Sequence, residues 1–124
     1  MHEETVEFFS EGTRVRGILR TADDAGAGPR PAIVQGPGWL GLKDSKLYVR
    51  YHEALTTAGF AVLIFDYRGF GDSDGDRGLL LPSLQLEDLV NAVTYLTTRE
   101  DVDPRRIGVP LPASSGAHLS TPPG

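Results

Sequence analysis

Residues Phe60-Ala-Val-Leu-Ile-Phe65 are apolar at every position, with no alternation between greasy and polar. A strand of that kind is buried on both faces, which is the condition of a central strand in a parallel sheet rather than of a half-solvated antiparallel one. Parallel neighbours need long crossover connections, so helices are expected before and after it. Both are legible. Asp44 or Ser45 can cap a helix running to about Ala58, with Gly59 as its stop and Leu47, Tyr51, Ala54 and Leu55 on one face. Pro82-Ser83 opens a second helix, with Ser83 as cap and Glu87 and Asp88 near the positive end of its dipole. Leu86, Leu89, Val90, Val93 and Leu96 give that helix an apolar stripe.

Pro31–Gln35 reads as a strand before the first helix, and Arg106–Val109 as a short strand after the second. Upstream, Thr5–Phe9 and Arg14–Leu19 are β-rich stretches separated by Glu11-Gly12, which is hairpin chemistry. A hairpin followed by strand-helix-strand-helix-strand predicts an α/β fold of three layers, with a mixed sheet and helices on both faces.

The 124 residues allow one domain. It divides into a hairpin and loop (1–30), a parallel core (31–109) and a tail (110–124) rich in proline and serine. Apolar residues make up 40% of the chain, enough for a core. The net charge of -5 speaks against a nucleic-acid surface, which needs a basic face. Without cysteine there are no disulfides and no thiolate metal sites. No apolar run approaches the roughly 20 residues that span a bilayer. Met1-His-Glu-Glu4 is acidic where a signal peptide would be basic, so a cytoplasmic protein is expected, with no membrane partner.

Three motifs carry chemistry. Ala32-Ile-Val-Gln-Gly-Pro-Gly-Trp39 runs from a strand into a glycine-rich turn. Phe65-Asp-Tyr-Arg-Gly-Phe-Gly-Asp-Ser-Asp-Gly75 follows the apolar strand, and Asp101-Val-Asp-Pro-Arg-Arg-Ile-Gly-Val109 leads into the last one. Together they resemble the α/β-hydrolase superfamily, closest to its dienelactone-hydrolase-like and serine-aminopeptidase-like branches, over its N-terminal portion. The second motif is similar to the family's Asp-x-Arg-Gly-x-Gly-x-Ser turn after strand four. The resemblance implies strand order 1-2-4-3-5 with further strands beyond, and a cofactor-free serine hydrolase of esterase or peptidase type. Its substrate would be a small carboxylic ester or amide.

In that chemistry a serine on a tight strand-to-helix turn attacks a carbonyl, a histidine takes its proton, a carboxylate orients the histidine, and backbone N–H groups hold the oxyanion. In the family's register the serine slot falls on Ala113; one extra residue brings Pro112-Ala-Ser-Ser-Gly116 into place, with Ser114 as candidate nucleophile. The alternative is that Ser114 is one serine among several in the tail. Oxyanion donors would be the N–H of Ser115 and of Gly38 or Trp39, since Pro37 has none. Asp66 and Arg68 are assigned to fixing the turn after strand four by side-chain bonds to backbone, with Gly69 and Gly71 as structural residues of the same turn. The histidines do not complete a triad. His2 is at the start, His52 reads as a helix-face residue, and His118 follows Ser114 too closely. Little or no turnover is therefore expected of this chain by itself.

Two rival readings stand beside this one. Gly36, Gly38 and Gly41 spell a dinucleotide-binding fingerprint with Asp66 as the acid, but Asp66 lies well beyond the expected distance of roughly 20 residues. A non-catalytic remnant or binding module is the other, and it leaves strand five as an edge open to self-association. Asp72, Asp74 and Asp76 do not form a calcium loop, because Arg77 stands where the required glycine belongs.

Overall fold

The computed structural model describes residues 1–23, 29–35, 46–77 and 82–109. Five strands and two helices follow in the order β1 (His2–Ser10), β2 (Thr13–Thr21), β3 (Arg30–Gln35), α1 (Lys46–Thr57), β4 (Ala61–Phe65), α2 (Pro82–Thr97) and β5 (Val102–Gly108). One sheet contains all five strands in the order β1-β2-β4-β3-β5, as the resemblance implied. β1 pairs with β2 and β2 with β4 antiparallel, whereas β3 runs parallel to both β4 and β5.

β4 is buried at every residue, in keeping with its unbroken apolar run. Alternation sorts the other strands into two faces. Val15 and Leu19 of β2, Val34 of β3 and Leu63 and Phe65 of β4 join Leu89, Ala92 and Leu96 of α2 in one apolar core. Phe8 sits at its rim, edge-on to Phe65 at 5.6 Å and stacked on Tyr95 at 5.7 Å. Each fully buried side chain of this size contributes about 1.5–3 kcal/mol. Neighbouring Arg20 and Gln35 point to the opposite face, where α1 lies.

Several elements differ from the expectation. α1 does not bury the stripe read from its sequence: Tyr51 and Ala54 are exposed, and His52 and Thr56 are the buried residues. The helix turns a polar edge inward because the sheet offers Arg20 and Gln35 beneath it. The caps proposed for α1, Asp44 and Ser45, lie outside the described residues. α2 starts at Pro82, which places Ser83 inside its first turn. Leu86 and Val90 are half-exposed, so the stripe narrows to Leu89, Val93 and Leu96 with Ala92. β5 begins at Val102 rather than Arg106 and takes Pro104 within it, in the irregular stretch between the Arg30–Val102 and Ala32–Ile107 pairs, where a missing N–H costs no ladder bond.

Candidate active site

The turn after β4 is built from its polar groups inward. The Asp66 N–H donates to the Arg16 carbonyl at 3.0 Å, continuing the β2–β4 pairing beyond the strand. The Asp66 side chain is buried, and its Oδ2 accepts from the Asp72 N–H at 3.0 Å. Ser73 Oγ donates to the Asp66 carbonyl at 2.6 Å and accepts from the Arg16 N–H at 2.9 Å. Gly69 (φ +86°) donates its N–H to the Asp74 carbonyl at 2.8 Å. Gly71 (φ +50°) lies so close to Asp66 that a Cβ would stand 2.2 Å from its carboxylate.

Arg68 leaves this turn in the other direction and grips α2. Its Nε donates to Asp88 and one terminal nitrogen to Glu87, Ser10 Oγ and the Leu84 carbonyl. Burial acts to lower its pKa, but the bonds to Glu87 and Asp88 outweigh it and the net direction is upward. Glu87 and Asp88, which the sequence assigned to the helix dipole, are thus partners of Arg68. Tyr67 beside it is pushed up to about 12 by burial, aided by Asp88 and Tyr48, so its phenol stays protonated.

β3 and β5 are paired neighbours running the same way, with Ile33 opposite Gly108. Their carboxyl ends therefore deliver the chain side by side, roughly 4.8 Å apart, at the end of the sheet where open α/β folds place their ligands. The segment holding Gly38 and Trp39 departs from β3, and the one holding Ser114 and Ser115 departs from β5; all four residues lie outside those described.

His52 is a buried group that sequence reasoning misses. Its Nδ1 accepts from Arg20 Nη1 at 2.7 Å, and its Nε2 meets Gln35 Oε1 at 2.5 Å. Burial first, and the Arg20 charge second, lower its pKa to about 4, with Glu3 opposing. Both ring nitrogens are engaged, so it is not free to take a proton from a serine. His2 is exposed on β1, and His118 lies outside the described residues. A partial clue is present in the sequence: Arg20 and Gln35 each end an apolar stretch of a strand.

A hairpin leading into parallel strands of this order, with two chain exits juxtaposed at one sheet end, is the opening of an α/β-hydrolase fold. Residues 40–117, more than half of the chain, match the family described as serine aminopeptidase, S33, and the chain belongs to that family. It is 39% identical over 108 residues to the thiohydrolase apmlB of Arthrinium phaeospermum, covering 86% of this chain and 34% of that protein. It is 37% identical over 90 residues to the quorum-quenching protein AidA of Acinetobacter baumannii, covering 72% of this chain and 29% of that protein. The structure of DcsB in complex with its substrate analogue superposes with a TM-score of 0.78 at 33% identity, covering 87% of this chain and 36% of that one. The chain spans about a third of the length of the curated relatives it matches. Among the described residues, no helix is long and apolar enough to cross a membrane.

Proposed function

We propose that this chain carries the nucleophile and oxyanion elements of a serine hydrolase that acts on a carboxylic ester, thioester or amide. The adjacent exits of β3 and β5 support it most directly, because acyl transfer needs a nucleophile and an oxyanion donor on two different backbone segments a few ångströms apart. Ser114 Oγ adds to the carbonyl carbon as a base takes its proton, which passes on to the leaving group, and the N–H of Ser115 and of Gly38 or Trp39 hold the resulting oxyanion. Collapse expels the alcohol, thiol or amine and leaves an acyl-serine, which water then cleaves to the acid. The thioester is included because one relative is named a thiohydrolase.

The proton relay is the weak point of the chain by itself. His52 is tied to Arg20 and Gln35, so little turnover is expected without an added base. The test is labelling with a fluorophosphonate probe, located by mass spectrometry, with and without imidazole in the buffer. Slow labelling at Ser114 that imidazole accelerates, and that Ser114→Ala abolishes, is the expected result. Absence of label at Ser114 under both conditions would overturn the nucleophile assignment and favour a non-catalytic remnant.

A further inference from the structure

Between α1 and the sheet, three polar side chains from three elements are joined, two of them buried. Arg20 of β2 is almost fully buried, His52 of α1 is wholly so, and Gln35 is the last residue of β3. A guanidinium has no acceptor, so the bond from Arg20 Nη1 requires an unprotonated Nδ1 on His52. The ring proton therefore sits on Nε2 and is donated to Gln35 Oε1 at 2.5 Å. Glu3 of β1 holds the far side of Arg20 through Nε at 2.8 Å. On α1 itself, the rings of Tyr48 and Tyr51 lie 6.1 and 6.2 Å from the imidazole.

An apolar residue at position 52 would leave the buried Arg20 without the acceptor it has in Nδ1 and Gln35 without the Nε2–H, at the cost of unpaired polar groups. A buried network in which every bond is made instead selects one arrangement of its members. The member whose position has a consequence is Gln35. Its Cα is the last one paired with β4 among the described residues, opposite Ile64.

We infer that His52 is a positioning residue: held by Arg20 as the Nε2–H tautomer, it anchors the Gln35 side chain and thereby holds the last backbone of β3 in place beside β5, ahead of the segment that carries Gly38 and Trp39. The inference rests on the hydrolase reading above, since it matters for reaction only if that segment supplies an oxyanion donor. Misplacing a catalytic group by about 1 Å can cost on the order of 100-fold in rate.

Two measurements on the full chain test it, and they fail separately. The first is nitrogen NMR of the His52 ring. The Nε2–H tautomer is expected at neutral pH, and Gln35→Glu, which puts a carboxylate against Nε2, is expected to raise the midpoint of the His52 titration by at least one pH unit. The second is the imidazole-assisted labelling rate at Ser114. His52→Leu is expected to slow it at least tenfold. His52→Gln, which keeps an N–H for Gln35 and a carbonyl for Arg20, is expected to label within threefold of the parent. Equal rates in all three proteins, or a His52→Gln as slow as His52→Leu, overturn the positioning role. A parent chain that takes no label overturns the hydrolase reading; the link to Gln35 then stands or falls with the Gln35→Glu titration, and an unmoved midpoint refutes it.

Discussion

Arg68 and Asp88 meet twice: the Arg68 backbone N–H donates to Asp88 Oδ2 at 2.8 Å, and its Nε donates to Oδ1 at 2.9 Å. The Asp88 carboxylate is buried, and Arg68 is nearly so. This joins the turn after β4 to α2. Removing the guanidinium leaves a buried carboxylate with one partner fewer, which is costlier than never having placed the pair there. Arg68→Met should lose about 3–5 kcal/mol by urea denaturation. Asp88→Asn keeps an oxygen for one of the two donors and should lose less, about 1–2 kcal/mol.

Gly71 and Gly12 make a matched pair for separating two costs of a side chain at positive φ. A Cβ at Gly12 (φ +81°) would meet nothing within 4 Å, whereas at Gly71 (φ +50°) the Asp66 carboxylate stands 2.2 Å from where it would sit. Gly12→Ala should therefore lose only the left-handed backbone penalty, about 1–2 kcal/mol. Gly71→Ala must also push Asp66 off the Asp72 N–H, a part-buried bond to a charged group worth about 1–3 kcal/mol more. Parallel thermal melts of the two variants would show the difference, and equal melting temperatures would contradict the close approach.

What can be read in advance follows from what each signal needs. β4 announces itself because burial on both faces leaves no polar position to blur the pattern. The β1–β2 hairpin is fixed locally by Glu11-Gly12, both at positive φ. The face of α1 is not legible, because periodicity assumes that apolar residues point inward. Here the sheet surface is itself polar at Arg20 and Gln35, and partners 32 and 17 residues away decide that His52 is buried. Likewise the acidic residues near the start of α2 suit a helix dipole, and only the folded turn brings Arg68 within 2.8 Å of Glu87. The start of β5 is hidden because Pro104 argues against a strand until the irregular pairing around it is known.

His52 makes stability depend on acid in a definite window. An unfolded histidine titrates near 6.5, and burial beside Arg20 brings the folded value down to about 4. Between those values the unfolded chain binds a proton that the native state refuses. The contribution is thus whole above pH 6.5, shrinks as pH falls, and is gone near pH 4. Its size is roughly 3 kcal/mol. Asp101, held down by Arg99, and Asp103, held down by the Arg105 N–H, add acid sensitivity of their own. Those groups are common to His52→Gln, so the comparison isolates the imidazole. Urea midpoints at pH 7 and pH 4.5 should differ more for the parent than for His52→Gln, and identical differences would refute the buried neutral ring.

β5 has β3 on one side and, among the described residues, no strand on the other. Its first half is protected against pairing with another chain. Pro104 has no N–H, the Arg105 N–H is taken by Asp103 Oδ1 at 3.0 Å, and Arg105 and Arg106 are exposed charges. The pairing with β3 is also irregular between Arg30 and Ala32, so this stretch is not a flat template. Ile107 and Gly108 have neither guard and pair regularly with Ala32 and Ile33. Self-association through this edge, if the sheet is left open there, is expected to run through that short end. Gly108→Lys is the discriminating variant, because among the described residues nothing lies within 4 Å of a Cβ at that position, so a lysine there adds charge without crowding them. Light scattering across a concentration series should show growth for the parent and suppression in Gly108→Lys. A parent that stays monodisperse as a monomer would mean that Pro104 and the arginines are guard enough for the whole strand.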